Sequence, residues 1–327
     1  MARRHPDMPS PEPVVIRKTQ LLKWLRRLDG SRRARERVVA METEFRNGIT
    51  SHVGTLKLLK DAPFAKFNTN PFVLLFHTRH RGYKRVREIE DDILPAKIFA
   101  SMETSAGRMV ETVVLPVYGW KTAPSKMHSS KSVIDGQKKG EGVLRLVTLK
   151  SGPRCLNDPT TASIVNEITE NVVAWARQAD VKEVDFTYGV LYGTKKKSNK
   201  KDWHILRRIA EKLPDALTAH PKNCWYCAFE KDGISVNVTI RIGIEFWSHF
   251  SGQQTAFLEM ACALIRACDA LPTDVLSQPK EFTIADLGEI IALDIVPPQF
   301  NVGILQRSQL EWLFFFASHF CDQLENT

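Results

Sequence analysis

The chain has no apolar run long enough to cross a membrane. The longest near its C-terminal end, Trp312 to Ala317, is six residues, against about 20 for a spanning helix. No apolar stretch follows the arginines at the N-terminus, so no secretory signal is expected. Cysteine is sparse and scattered: Cys155, Cys224, Cys227, Cys262, Cys268 and Cys321. Only Cys224 and Cys227 have ligand-like spacing. No second pair follows them, and their segment has the pattern of a strand, so free thiols in a reducing cytoplasm are expected rather than a zinc site. No repeat period is visible, which excludes a solenoid. With 43% hydrophobic and 25% charged residues, the composition also excludes a wholly disordered, collagen-like or coiled-coil chain.

What the chain has in excess is basic charge, unevenly placed. Lys and Arg number 46 against 37 Asp and Glu. The surplus is concentrated in residues 1–40 (eleven bases, four acids), 121–154 and 193–212 (eight and two in each). Residues 281–327 reverse it, with one base and seven acids. A basic body of this kind suits a polyanionic partner, because phosphate contacts come mainly from Lys and Arg.

The pattern along 327 residues gives a prior of about two domains. Residues 1–83 read as a basic helical region behind a proline-rich start, with Leu21, Leu22, Trp24, Leu25 and Leu28 on one apolar face and a break at Asp29-Gly30-Ser31. Residues 84–117 read as two helices, interrupted near Pro95 and stopped by Pro116. A mixed pattern follows to about residue 270. Ser132 to Asp135 reads as a short strand and Gly136 to Gly142 as a turn. Val143 to Lys150 is a near-continuous apolar run of the sort found in a central strand. Asp158-Pro159 reads as a helix start. Further strands are expected at Val184–Leu191, Cys224–Phe229 and Ser235–Ile242, the last two joined around Asp232-Gly233. Helices are expected at Trp203–Leu213, around Phe257–Cys268, and over Leu310–Leu324, within a C-terminal segment (271–327) that packs on the core. The expected architecture is α/β: a central mixed sheet of about five strands flanked by helices, with an extra helical N-terminal region.

One constellation carries chemistry. Thr148 and Lys150 lie two apart on a strand, so their side chains point to the same side. Lysine is unusual at the end of an apolar strand, since an unpartnered buried ammonium is costly. Asp135, beyond the hairpin, is its natural neighbour. A carboxylate beside a lysine suits hydrolysis of phosphodiesters: the carboxylate supplies oxygen to Mg2+ and the lysine orients the attacking water. Asp135, a hairpin and Lys150 resemble the active site of the PD-(D/E)XK nuclease superfamily. The extension Lys150-Ser151-Gly152-Pro153, followed by Asn157, resembles a group of type II restriction endonucleases. Ser105-Ala106-Gly107, with Glu111 four residues beyond the glycine, is similar to that group's upstream helix and its metal-reaching Glu. Tyr188-Gly189-Val190-Leu191-Tyr192-Gly193, then a basic loop and Asp202-Trp203, is similar to its third core strand. Gly243-Ile244-Glu245-Phe246-Trp247 to Ser251-Gly252 is similar to its Gly-x-x-Phe-Trp segment. The resemblance spans about residues 100–270 and implies a restriction-endonuclease-like core. It implies Mg2+-dependent cleavage of double-stranded DNA at a short sequence, by a homodimer matching a palindrome. The alternatives are a structure-specific or repair nuclease on the same core, or an inactive DNA-binding protein.

The chain departs from the group's pattern at Thr148, where an acidic residue is usual. Three explanations stay open: Glu111 or Glu103 supplies the carboxylate, with Glu111 ranked first; Glu141 swings in from the hairpin; or the site is degraded. The expected centre is Asp135 and Glu111 on the metal, Thr148 beside them, and Lys150 on the water. A Glu at position 148 is expected to restore the usual pattern. Lys126, Lys131, Arg154, Lys195, Lys196 and Lys197 are expected to contact DNA.

Overall fold

The computed structural model describes residues 10–57, 80–82, 90–122, 133–213, 216–219, 225–268 and 286–327. Lys126, Lys131 and Cys224 therefore lie outside the described residues. The chain starts with a short strand β1 (Val15–Arg17) and the helices α1 (Lys18–Gly30) and α2 (Arg32–Lys57). α1 buries Leu21, Leu22, Leu25 and Leu28, the apolar stripe that the sequence spacing sets. The next helix, α3 (Glu90–Val117), is continuous where two helices are expected. Pro95 lies in its second turn and Pro116 in its last, so Pro116 marks the end of the helix and Pro95 does not interrupt it.

The sheet has seven strands among the described residues, in the order β2-β3-β4-β5-β8-β7-β6. These are β2 (Lys121–Thr122), β3 (Gly136–Gly140), β4 (Val143–Lys150), β5 (Glu183–Val190), β6 (Leu217–Ala219), β7 (Trp225–Lys231) and β8 (Ile234–Ile242). The central three, β4, β5 and β8, are parallel, and the outer strands pair antiparallel. β4 covers the residues its apolar run predicts. The hairpin differs from expectation. Asp135 precedes the strand, and Gly136 to Gly140, which reads as a turn, is itself β3. Tertiary pairing with β4 overrides its poor strand propensity. A Cβ at Gly136 would stand 3.1 Å from both Leu115 and Val147, so glycine lets α3 and β4 close around it.

Helices cover both faces. α4 (Asp158–Gln178) and α5 (Lys201–Lys212) pack Ile164, Ile168, Val172, Ile205 and Ile209 against Val184, Phe186, Val236 and Val238. The cap of α4 is Asn157, whose side chain accepts from the Thr160 amide, one residue before the Asp expected. On the other face lie α3, α6 (Ile244–Ser251) and α7 (Ala256–Cys268). The same apolar core takes in α1, α2 and, after α8 (Leu287–Ile291), the helix α9 (Leu310–Ser318). The last apolar stretch is only partly helical: Gln323–Glu325 form β9, which pairs parallel with β1. Both chain ends are pinned here. Lys18, 1% exposed, donates to the carbonyls of Glu289 and Ala292.

A buried polar knot joins three helices. Glu259 of α7 is fully buried and accepts two hydrogen bonds from Arg37 of α2, at 2.6 and 2.7 Å. Tyr118, just past α3, donates to the same carboxylate at 2.8 Å. The charge is thus matched on both oxygens, the condition a buried ion needs.

Candidate active site

The C-terminal ends of the three parallel strands interlock through glycine. Register pairs Lys150 with Val190 and Val190 with Ile242, so the three strands end side by side. Gly193 (φ +97°) lies where a Cβ would meet Pro153 at 2.6 Å. Gly243 (φ +59°) lies where a Cβ would meet the Gly193 carbonyl oxygen at 2.3 Å. Phe246 lies over Gly189, at 2.5 Å from where a Cβ would stand, and Trp247 donates to the Leu191 carbonyl at 2.8 Å. The three glycine-bearing segments singled out in the sequence are thus one packed unit around the end of β4. Ligands of open parallel sheets bind at such strand ends.

Asp135 is held onto β4. Its amide donates to Val147 O at 2.8 Å, and its carboxylate accepts the Leu149 amide at 2.6 Å. α3 crosses the end of the strand with Gly107 against it; a Cβ there would lie 3.6 Å from the Ser151 Cβ. One turn on, Glu111 falls on the same helix face and within the field of Asp135 and Lys150. Burial pushes the Glu111 carboxyl up to about 7. The Asp135 charge adds to that, while Lys150 and Arg108 oppose it. The structure therefore brings Glu111, Asp135 and Lys150 together.

Thr148 plays a different part from the one expected. It is 1% exposed, and its hydroxyl donates to the Val133 carbonyl. It ties the segment leading to Asp135 against β4, and its proton is committed to the backbone. Glu141 stands away from the centre. It sits at the hairpin tip with φ +55°, pairs with Arg145 at 3.5 Å, and its side chain is 89% exposed. The Glu103 side chain lies outside the described residues.

Among the described residues no group of three or more His, Cys, Asp and Glu is placed to hold a metal ion. The residues that could hold one are a carboxylate pair, Asp135 and Glu111. A carboxylate whose ionisation is opposed by burial and a neighbouring carboxylate suits a hard divalent cation. Mg2+ is commonly held by one or two carboxylates and otherwise keeps its waters.

The basic loop divides. Lys195 is buried, paired with Glu245 at 2.8 Å and placed over the Trp225 ring. Lys197 donates to the Cys321 carbonyl at 2.6 Å, locking the end of α9. Lys196 faces solvent, as does Arg154, whose Nε donates to the Lys197 carbonyl at 3.3 Å. Asp202 is buried and accepts from Ser198 Oγ at 2.6 Å, and burial lifts its carboxyl to about 6. Arg108 and Tyr192 flank the centre. The sequence reading gave them no role, and only their neighbours in the motifs pointed to them.

A family model, that of Type II restriction endonuclease EcoO109I, matches residues 43–222, just over half the chain. The match takes in Glu111, Asp135 and Lys150 and ends before the Gly243–Gly252 segment. No curated protein matches the sequence closely enough to be called a relative.

Proposed function

Since the chain belongs to the type II restriction endonuclease EcoO109I family, and hence to the sequence-specific DNA endonucleases, we propose that it hydrolyses phosphodiester bonds of double-stranded DNA at a short specific sequence with Mg2+. The observation that carries this reading is Glu111 lying within the charge field of both Asp135 and Lys150, with Asp135 held onto β4. Asp135 and Glu111 would hold Mg2+, which neutralises phosphate charge and acidifies water. Asp135 has one oxygen fixed by the Leu149 amide, so its geometry is set before substrate arrives. Lys150 projects from a rigid central strand and directs its Nζ protons at the attacking water and the phosphate oxygens. The missing acid at position 148 is supplied by Glu111 from the helix above. Thr148 serves as the clamp that keeps Asp135 in register.

Lys196 and Arg154, exposed beside the strand ends, contact backbone phosphates, as do Lys126 and Lys131 in our reading. Lys195 supports the loop from inside, and Lys197, at the surface, ties it to the Cys321 carbonyl. A homodimer presents two such centres to the two strands of a palindromic site. Five cysteines are free among the described residues, in keeping with a reducing cytoplasm. No helix among the described residues is long and apolar enough to cross a membrane.

Incubating the purified protein with plasmid DNA in Mg2+ and in EDTA tests the reading. Discrete bands in Mg2+ alone are expected. Smears or junction-selective cutting would favour a repair nuclease. Binding without cutting would favour an inactive DNA-binding protein.

A further inference from the structure

An open groove of about 580 Å³ begins beside the catalytic centre. It is lined by Gly107 and Ser151, from the segments that carry Glu111 and Lys150, and by Tyr192, Phe315 and His319. The rings form a chain across the surface. Tyr192 meets His319 edge-on at 6.3 Å, His319 meets Phe315 at 4.9 Å, and Phe315 meets Trp312 at 6.2 Å. Tyr192, Phe315 and Trp312 are 42%, 37% and 63% exposed, unusually open for large apolar side chains. Tyr192 lies directly on the turn after Lys150: a Cβ at Gly152 would come within 2.7 Å of its hydroxyl. Arg108 and Arg154, both exposed, follow Gly107 and Ser151 by one and three residues.

We propose that this groove receives one unstacked nucleobase of the DNA strand being cut, from a nucleotide adjoining the scissile phosphate. The inference rests on the nuclease reading and goes beyond it. The group that must reach Lys150 and Glu111 is a phosphodiester, so the nucleosides on either side of it are the chemistry delivered to the groove's mouth. Bases in an intact duplex are stacked inside the helix and reach an inset groove only by rotating out. Aromatic rings in a groove, with exposed arginines in the segments that line it, suit a base with its phosphate, since any base stacks on an aromatic face and cations hold the backbone. A second copy of this chain seated in the groove would close the mouth that DNA has to enter.

The test uses duplexes with 2-aminopurine placed at each position around the cut that wild-type digests define. These are bound by Lys150→Ala protein in Mg2+, so that binding occurs without cleavage. A several-fold change in fluorescence relative to the free duplex is expected at one position, and its loss in the Lys150→Ala protein also carrying Phe315→Ala or Tyr192→Ala, with DNA binding retained in a mobility-shift assay. Unchanged fluorescence at every position in a formed complex would overturn the inference and leave the nuclease reading intact. A change that survives both ring removals would overturn the groove as its site. A dimer that dissociates on Phe315→Ala would show that the groove is a surface between copies, which also overturns it. Failure of the wild-type protein both to bind and to cut DNA would remove the nuclease reading itself.

Discussion

Replacing Glu111 by Gln should stabilise the metal-free protein at pH 8 while abolishing cleavage. In the folded chain the Glu111 carboxyl is pushed from the usual 4.5 to about 7, first by burial and then by Asp135. Between those two values the unfolded chain has lost a proton that the folded chain keeps. Stability therefore falls as pH rises through this window, and the full loss is present above pH 7. At 1.36 kcal/mol per pH unit the interval sets a ceiling of about 3 kcal/mol. Glu111 is only partly shielded from solvent, and screening reduces the expected figure to about 2 kcal/mol. Gln keeps the shape of the neutral acid. The variant should therefore match wild type near pH 5 and exceed it by about 2 kcal/mol at pH 8. The assay is urea unfolding at the two pH values in EDTA. Adding Mg2+ at pH 8 should raise the stability of wild type and not that of the variant. Equal stabilities in EDTA at pH 8, or a weaker variant, would refute the raised Glu111 carboxyl that burial and Asp135 produce.

Thr148→Glu, which on sequence grounds restores the usual pattern, should fail to rescue cutting in a Glu111→Ala protein. It puts an acceptor against the Val133 carbonyl at a buried position, and rescued cleavage would contradict that. Glu259→Ala should cost about 3–5 kcal/mol in urea unfolding, because it strips a buried bidentate partner from Arg37; a loss below 1 kcal/mol would mean that the knot is merely a surface pair. The Lys196→Ala, Arg154→Ala double variant should lower the log–log salt slope of DNA binding by about two, while Lys197→Ala, whose ammonium is held by Cys321 O, should leave it unchanged; the reverse pattern would place the DNA face elsewhere.

How much was legible in the sequence depended on whether a segment's fate was decided locally. Val143–Lys150 could be read outright, because a strand buried on both faces shows a continuous apolar run. Gly136–Gly140 could not, since its strand state comes from pairing with β4 and from the room that Gly136 leaves for Leu115. Nor could the end of the last helix, where β9 forms only because Val15 pairs with Gln323 at the far end of the chain. Glu111 and Lys150 were singled out by spacing together with the family resemblance. The lysine run misled for a physical reason: a carboxylate fifty residues away, Glu245, and the carbonyls at the end of α9 take up two of its three charges. The Thr148 role was hidden because its partner, the Val133 carbonyl, is a backbone group with no mark in the sequence.

The central claim is that Glu111, Asp135 and Lys150 form a complete cleaving centre without an acid at position 148. Single-turnover cleavage by Glu111→Gln, Asp135→Asn and Lys150→Ala, compared with wild type at equal DNA occupancy in Mg2+, tests it most directly. Each variant should bind DNA about as well as wild type, since affinity comes from phosphate contacts elsewhere, and should cut at least about 100-fold more slowly. Near-wild-type cutting by any one of the three would contradict the claim.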